Sequence, residues 1–117
     1  MPYCDEHLIL DFNHQIVVLD DQRLTLTRKE YELLALLVRN AGEAVPRSTL
    51  LMQVWGYGDA IQTRTLDVHV GRVRNKLRGY ADRYIQTVSG VGYKFRPFHA
   101  SPFPPSQPIS EAVALGA

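Results

Sequence analysis

The segment over residues 63–78 restricts the fold more than any other part of the sequence. It contains no proline and a single glycine, Gly71, so it can run as one helix of about four turns. Apolar residues recur along it at positions i, i+4, i+7 and i+11. They are Leu66, Val70, Val73 and Leu77. On a helix these side chains lie within about 60° of one another, so the pattern predicts a helix that buries one narrow face.

The remaining surface of this helix is predicted to point outward and to carry groups that suit nucleic acid. The outward residues are Arg64, Thr65, Val68, His69 and Arg72. Guanidinium and hydroxyl groups donate to phosphate oxygens, and a guanidinium can donate to two acceptors on a guanine edge. His69 has a second interpretation, in which its ring only satisfies a polar edge of the fold. By rotation Asp67 is expected near Arg74 and Arg78, and so to orient them.

The distribution of charge points in the same direction. Residues 1–61 contain five Lys and Arg against nine Asp and Glu, whereas residues 62–96 contain eight against two. The formal net charge of +1 for the whole chain hides this asymmetry. A basic segment of this kind favours a polyanionic partner, nucleic acid first. A merely solvated basic face would produce the same count, so charge alone does not decide.

The first half of the chain is predicted to hold strands followed by two helices. Short β-prone runs at 7–12, 16–19 and 23–26 are separated by Asn and Asp turn formers, which predicts a small antiparallel sheet. Thr27 and Glu30 have the spacing of a capping box that opens a helix over 28–40. A second helix is predicted over 47–55, after a short extended link at Val45 and Pro46.

Two β-prone runs within 84–96, separated by a glycine-containing turn, predict a β-hairpin. The expected fold class is therefore α+β: a winged helix-turn-helix with a small N-terminal antiparallel sheet, a three-helix core and a C-terminal hairpin wing. Residues 1–6 are expected to form a flexible N-terminus and residues 7–96 the domain. Five of the seven prolines lie in residues 97–117, which predicts an extended or disordered tail.

Several function classes receive no support from the sequence. The single cysteine, Cys4, makes neither an internal disulfide nor a Cys-rich zinc site, and an exposed terminal thiol is expected. The histidines lack metal-site spacing, and residues 89–92 lack the pattern of a phosphate loop. We expect no catalytic residues, no metal and no cofactor. The sequence has no apolar run of membrane-spanning length and no secretory signal, so a cytoplasmic protein without membrane contact is expected.

Three stretches of the sequence resemble one known family. They are LTLTRKEYELLALLVRNAGEAVPRSTLLMQVWGYG, RTLDVHVGRVRNKLR and IQTVSGVGYKF, and over about residues 8–96 they are similar to the OmpR/PhoB-type winged-helix effector domain of bacterial two-component response regulators. The resemblance implies a four-stranded N-terminal sheet and sequence-specific binding of double-stranded promoter DNA in transcription regulation. It also implies that two copies often bind head to tail, and that the loop over residues 56–62 can touch RNA polymerase.

The resemblance assigns DNA contacts position by position. The matching residues are Trp55, Arg64, Thr65, Val68, His69, Arg72, Arg74 and Thr87. Among them, phosphate contacts are expected from Arg64, His69, Thr87 and Trp55, and base contacts from Arg72, Val68 and Arg74. The helical spacing of Trp55 makes it mainly a core aromatic, with phosphate contact secondary.

Three positions depart from the family pattern. Ser89 stands where many members carry an arginine that enters the minor groove, and a serine cannot supply that charge. Pro46 replaces a Ser or Thr helix cap, and its side chain has no oxygen that could accept a hydrogen bond from the first turn of the helix. Gly71 stands where members often carry a basic or large residue, which removes one phosphate contact.

Two questions stay open at the level of the sequence. No receiver segment lies within the 117 residues, so the chain is either the effector part of a longer response regulator, which we favour, or a stand-alone effector. A winged helix can also serve as a protein-interaction module without specific DNA binding, because fold alone does not fix function. A sequence-blind DNA binder is a third reading. Salt dependence and base preference distinguish the three.

Overall fold

The computed structural model describes residues 2–56 and 63–98. Its elements, in chain order, are β1 (Tyr3–Cys4), β2 (Leu8–Asp11), β3 (Ile16–Leu19), β4 (Gln22–Arg23), α1 (Arg28–Arg39), β5 (Ala44–Pro46), α2 (Arg47–Trp55), α3 (Thr63–Lys76), a 3-10 turn (Arg78–Tyr80), α4 (Ala81–Tyr84), β6 (Ile85–Val88) and β7 (Gly92–Phe95). The α+β class, the N-terminal antiparallel sheet, the helical core and the C-terminal hairpin are confirmed. None of the described helices is long and apolar enough to cross a membrane.

The N-terminal sheet has the strand order β1-β2-β3-β4, and all its strands are antiparallel. The expectation of a flexible segment over residues 1–6 is wrong for Tyr3 and Cys4, which pair with Leu10 and Ile9 of β2. The strand predicted over 23–26 instead ends at Arg23. A strand of two residues is stabilised by pairing with its neighbouring strand and is too short to show an alternating pattern in the sequence. This explains why β1 was missed and why β4 was predicted at the wrong position.

The carboxylate of Asp5 fixes the first strand and the last described residue to each other. It accepts hydrogen bonds from the hydroxyls of Tyr3 and Tyr84 and from the backbone N–H groups of His7, Leu8 and Phe98. Burial alone would raise the pKa of Asp5, but these hydrogen bonds outweigh it and hold the pKa below its ordinary value. Phe98 also packs 4.4 Å from the His7 ring, centroid to centroid.

The capping box predicted at the start of α1 is confirmed. The Thr27 hydroxyl accepts from the Glu30 N–H at 3.2 Å, and Glu30 Oε1 accepts from the Thr27 N–H at 2.9 Å. The buried Glu30 carboxylate also binds Lys76 Nζ of α3 at 2.7 Å. Burial would raise the pKa of Glu30, but the hydrogen bonds from Lys76 and Thr27 hold it below its ordinary value. One carboxylate therefore joins the start of α1 to the end of α3.

The apolar face of α3 lies in the centre of the molecule, as its periodicity predicts. Leu66, Val70 and Val73 of α3, and Leu77 directly after it, are at most 1% exposed. The helix ends at Lys76 rather than at the predicted residue 78, because Arg78 adopts a left-handed backbone with φ of 56°. A 3-10 turn and the one-turn helix α4, neither of which was predicted, then lead into the hairpin.

The wing hairpin of β6 and β7 is part of a three-stranded sheet. Its order is β5-β7-β6, so the link between α1 and α2 adds a strand to the predicted hairpin. Gly92 makes this pairing possible, since a Cβ atom there would lie 2.1 Å from the carbonyl oxygen of Val45. The Arg47 N–H donates to Val91 O at 3.0 Å. This bond satisfies one of the free N–H groups at the start of α2, where Pro46 offers no side-chain cap.

Candidate nucleic-acid interface

The outward face of α3 presents two arginines that have no partner inside the described protein. Arg64 and Arg72 are exposed, and within residues 2–56 and 63–98 neither guanidinium has a hydrogen bond or an ion pair. Val68 lies between them with 42% of its surface exposed, and Thr65 is half-buried beside them. An exposed apolar residue between free cations has no role in the core, so this face is the first candidate for a binding surface.

Trp55 and His69 form one edge of this face. Their rings meet edge to face with centroids 4.9 Å apart. His69 Nδ1 lies 2.8 Å from the Thr65 carbonyl oxygen, which can only accept, so Nδ1 carries the hydrogen. A neutral ring then offers Nε2 only as an acceptor, and a phosphate contact from His69 requires the imidazolium form. The ring satisfies a backbone carbonyl, as one of the two interpretations of His69 expects, and it borders the outward face.

Arg74 lies between α3 and the wing. Its Nη2 donates to the carbonyl of Ile85 at 2.9 Å and to the hydroxyl of Thr87 at 2.8 Å. Its guanidinium also stands 5.6 Å from the ring centre of Tyr93. Thr87 itself is exposed on β6. Reading a base edge with Arg74 would break these contacts, whereas leaving them intact holds the wing against α3.

Asp67 has different partners from those expected. It was predicted to orient Arg74 and Arg78, but its oxygens accept from Arg47 of α2 at 2.8 and 3.0 Å, and from the Tyr93 hydroxyl at 2.6 Å. The hydrogen bonds from Arg47 lower the pKa of Asp67 below its ordinary value, although partial burial opposes this. The helical wheel gives rotation about α3 but not which neighbouring element lies there, and here it is α2 and β7.

Sequence reasoning therefore missed Arg47 and Tyr93 as parts of the site. They lie 20 and 26 residues from Asp67 in the chain, a separation at which no local pattern connects them. Together with Asp67 they tie α2, α3 and the wing into one unit. This fixes the angle at which the outward face of α3 is presented.

The basic segment 62–96 divides into two equal groups. Four of its cations are bound within the protein: Arg74 to Ile85 and Thr87, Lys76 to Glu30, Arg83 to the Phe98 carbonyl, and Arg96 to the Asp82 carbonyl. We call these the structural cations. The other four, which we call the unpaired cations, have no partner among residues 2–56 and 63–98: Arg64, Arg72, Arg78 and Lys94. Half of the basic charge counted in the sequence is therefore part of the fold.

The tip of the wing and the loop after α2 are less informative. Ser89 is exposed beside Gly90, whose φ is 76°, and it brings no charge to the tip. Gly56 ends α2 with φ of 99°, and the rest of the loop 56–62 lies outside the described residues. In the part of the chain that the structure covers, no group of three His, Cys, Asp or Glu side chains could hold a metal ion, and Cys4 is exposed as predicted.

Comparison with known proteins identifies the family. Residues 21–95 match the family described as "Transcriptional regulatory protein, C terminal". The chain belongs to this family. It is 41% identical over 90 residues to the response regulator ArlR of Staphylococcus saprophyticus, a match that covers 76% of this chain and 41% of that protein. The chain thus spans about two fifths of the length of the curated relatives it matches.

Solved structures agree with this assignment. The response regulator DrrB of Thermotoga maritima, an OmpR/PhoB homologue, superposes with a TM-score of 0.74 at 34% identity, over 81% of this chain and 44% of that one. The DNA-binding domain of RstA from Klebsiella pneumoniae, solved in complex with the RstA box, superposes with a TM-score of 0.74 at 28% identity, over 82% and 97%. The OmpR/PhoB resemblance and the winged-helix fold are confirmed. The family is one of transcriptional regulators rather than of enzymes.

Proposed function

We propose that this chain binds DNA in a sequence-specific manner and regulates transcription, as the effector part of a response regulator. The observation that carries the proposal is the outward face of α3, where the exposed Arg64 and Arg72 have no partner within the described residues. The helix would lie in the major groove with the hairpin of β6 and β7 as the wing. The RstA domain, which shares this fold, was solved in complex with its box, and this supports double-stranded DNA as the partner.

We propose that base edges are read from the middle of α3. Arg72 would donate to the O6 and N7 acceptors of a guanine, and Val68 would contact the methyl group of a thymine. Thr65, half-buried on the same face, would donate its hydroxyl hydrogen to the groove. These three residues span two turns of the helix, which suits the reading of a few successive base pairs.

Phosphate contacts would hold the helix in register. Arg64 at the start of α3 is free to bind a phosphate, and the Trp55 N–H and the imidazolium of His69 would do so at its edge. The Thr87 hydroxyl accepts from Arg74 and keeps its own hydrogen to donate. Arg74 would act on DNA indirectly, because its guanidinium holds β6 at the side of α3.

The proposal also covers the arrangement of copies on DNA, a protein partner, the location in the cell and the start of the folded unit. We propose that two copies bind head to tail on direct repeats, that the loop 56–62 touches RNA polymerase, and that the protein works in the cytoplasm. The family resemblance supports all three. We also propose that the folded DNA-binding unit begins near residue 3 rather than residue 7, because β1 and the Asp5 hydrogen bonds belong to it.

Selection of bound duplexes from a random pool, at about 0.15 M salt where non-specific binding is weak, tests this function. We expect an enriched motif with like half-sites about 10–11 base pairs apart. Retention without enrichment would indicate a sequence-blind DNA binder. Absence of retention would contradict DNA binding and favour the protein-interaction module.

The selected site then allows a test of Arg72. Arg72→Ala should weaken binding to that site by about 1–3 kcal/mol while changing binding to random DNA much less. Arg39→Ala, at the far end of α1 and outside the proposed interface, removes the same charge as a matched control. An equal loss on both DNAs in Arg72→Ala would show that Arg72 contacts only phosphate.

A further inference from the structure

A second basic surface lies between β4 and the end of α3. Six residues line a groove of about 350 Å³ there: Arg23, Leu24, Thr25, Asn75, Lys76 and Arg78. None of these residues was assigned a role in DNA binding from the sequence. The groove brings together Arg23 of the N-terminal sheet and Arg78 of the 3-10 turn after α3, two exposed arginines that are 55 positions apart in the chain.

The charge of this groove is not neutralised within the described residues. Arg23 and Arg78 are exposed, and among residues 2–56 and 63–98 neither has a hydrogen bond or an ion pair. Lys76 already binds the buried Glu30. Asp20 lines the adjoining cavity together with Arg78, but its oxygens are taken up by His7 at 2.6 Å and by the Tyr80 hydroxyl at 2.7 Å. Two guanidinium groups are therefore left facing solvent over one groove.

The backbone of Arg78 has a conformation that favours glycine. With φ of 56°, Arg78 occupies the left-handed region, which costs an ordinary residue about 1–2 kcal/mol and a glycine almost nothing. Glycine is the usual residue at such a position after a helix. With arginine at this position, a cation stands at the rim of the groove.

The groove adjoins the face of α3 that is proposed to meet DNA. Asn75 lines the groove and lies within about 20° of Arg64 and Val68 around the helix axis. The 14 residues of α3 span about 21 Å, whereas the major groove is about 12 Å wide. When the first turns of α3 lie among the bases, its last turn reaches the edge of the groove, where the phosphate backbone runs.

We propose that this groove binds a backbone phosphate of DNA that flanks the bases read by Arg72. Arg23 and Arg78 would donate from two sides, and the Asn75 amide would donate from α3. The site extends the protein's contact with DNA to the N-terminal sheet, and it adds affinity without adding sequence preference. The inference rests on the proposed function, because it needs α3 in the major groove.

Salt dependence gives the first test. A variant that no longer binds one phosphate should show a slope of log affinity against log salt that is smaller by about 0.9. We expect this reduction in Arg78→Gly and in Arg23→Gln, with the selected motif unchanged. Arg78→Gly is chosen because its backbone conformation favours glycine, so the variant should be at least as stable as the wild type while binding DNA less tightly. Arg39→Gln removes the same charge at the far end of α1 and should leave the slope unchanged.

Replacement of single phosphates by neutral methylphosphonates gives the second test. In the wild type, one substitution outside the base-read positions should weaken binding, and in Arg78→Gly the same substitution should have no further effect. If wild-type DNA binding depends on salt but neither variant changes the slope or the methylphosphonate profile, the inference is wrong and the proposed function stands. If wild-type binding to DNA is absent, both fail. Titration with inorganic phosphate that shifts the NMR signals of the groove, without any methylphosphonate effect, would overturn the assignment to DNA.

Discussion

Arg72 and Arg74 lie two residues apart on α3, and their guanidinium groups have opposite surroundings. Arg72 is exposed and has no partner in the described parts of the chain, whereas Arg74 donates to Ile85 and Thr87 and stands over Tyr93. The sequence presents them as equal members of one basic segment. The structure shows that a cation on a recognition helix either can meet a ligand or can hold the helix in place, and that its neighbours in space decide which.

The same contrast separates Lys76 from Arg78 at the end of the helix. Lys76 completes an ion pair with the buried Glu30, and Arg78 faces solvent in a left-handed conformation. Structural cations should therefore affect the free energy of unfolding when they or their partners are changed, and unpaired cations should affect DNA binding. Three measurements test this division, beginning with the largest expected effect, and a fourth concerns a glycine inside α3.

Glu30→Ala should lower the free energy of unfolding by about 2–4 kcal/mol, because it removes the charged hydrogen bond to Lys76 and half of the capping box. Urea unfolding at pH 7 measures this. Glu32→Ala is the matched control, since its contacts with Arg28 and Lys29 are at the surface and should be worth about 1 kcal/mol or less. Similar losses of stability in the two variants would show that the pair of Glu30 and Lys76 contributes no more than an ion pair at the surface.

Acid should weaken the same contact gradually. The pKa of Glu30 in the folded protein lies below its ordinary value of 4.5, so its contribution to stability is present above about pH 4.5 and is lost as the pH falls through the lower folded value. As the pH is lowered from about 5 to about 3, the free energy of unfolding of the wild type should therefore decrease. The decrease should be less steep in Glu30→Gln, which has no carboxylate at this position. Identical pH profiles for the two proteins would contradict the role of this carboxylate.

Arg74→Ala should lower the free energy of unfolding by about 1–3 kcal/mol, because it leaves the Ile85 carbonyl and the Thr87 hydroxyl without their donor. Arg72→Ala should change it by no more than about 0.5 kcal/mol. Denaturant unfolding of both variants in the absence of DNA is the measurement. If Arg72→Ala is as destabilising as Arg74→Ala, the division between structural and unpaired cations fails.

Gly71→Ala should raise the free energy of unfolding by about 0.5–1 kcal/mol. Gly71 lies inside α3, and a Cβ atom there would meet no atom within 4 Å, so alanine gains helix propensity without a clash. Gly92→Ala is the opposite case, because its Cβ would collide with Val45. A thermal melt that ranks Gly71→Ala below the wild type would show that this glycine is needed in the helix.

Local rules predicted those elements whose signals are local. The capping box placed the start of α1 at Thr27, and the apolar periodicity placed the buried face of α3, because both depend on residues within a few turns. The strand β5 escaped prediction because its three residues are held by pairing with β7, nearly 50 positions away in the chain. The end of α3 was predicted two residues too late, because the glycine that signals the break is Gly79, whereas the backbone has already left the helix at Arg78.

The candidate nucleic-acid interface was also predictable only where its signals are local. The outward positions of α3 could be named from rotation alone, and the structure leaves Arg64, Val68 and Arg72 exposed there. The partners of Asp67 and Arg74 depend on which elements pack beside α3, and a helical wheel carries no information about those elements. The positions of residues around the helix axis therefore identified the candidate residues. The packing of neighbouring elements decided which of them stabilise the fold and which stay exposed.

The hydrogen bonds of Asp5 bring the two ends of the described chain to one place. Tyr3 and Phe98 both bind that carboxylate, although 94 residues of chain separate them. Joining residues 98 and 3 through a short linker and opening the chain at an exposed turn, such as Asn13 to Gln15, would give a circular permutant with the same strand order and the same α3. A pulling force applied between the two ends would load the Asp5 hydrogen bonds first and peel β1 from β2 before it reached the helices.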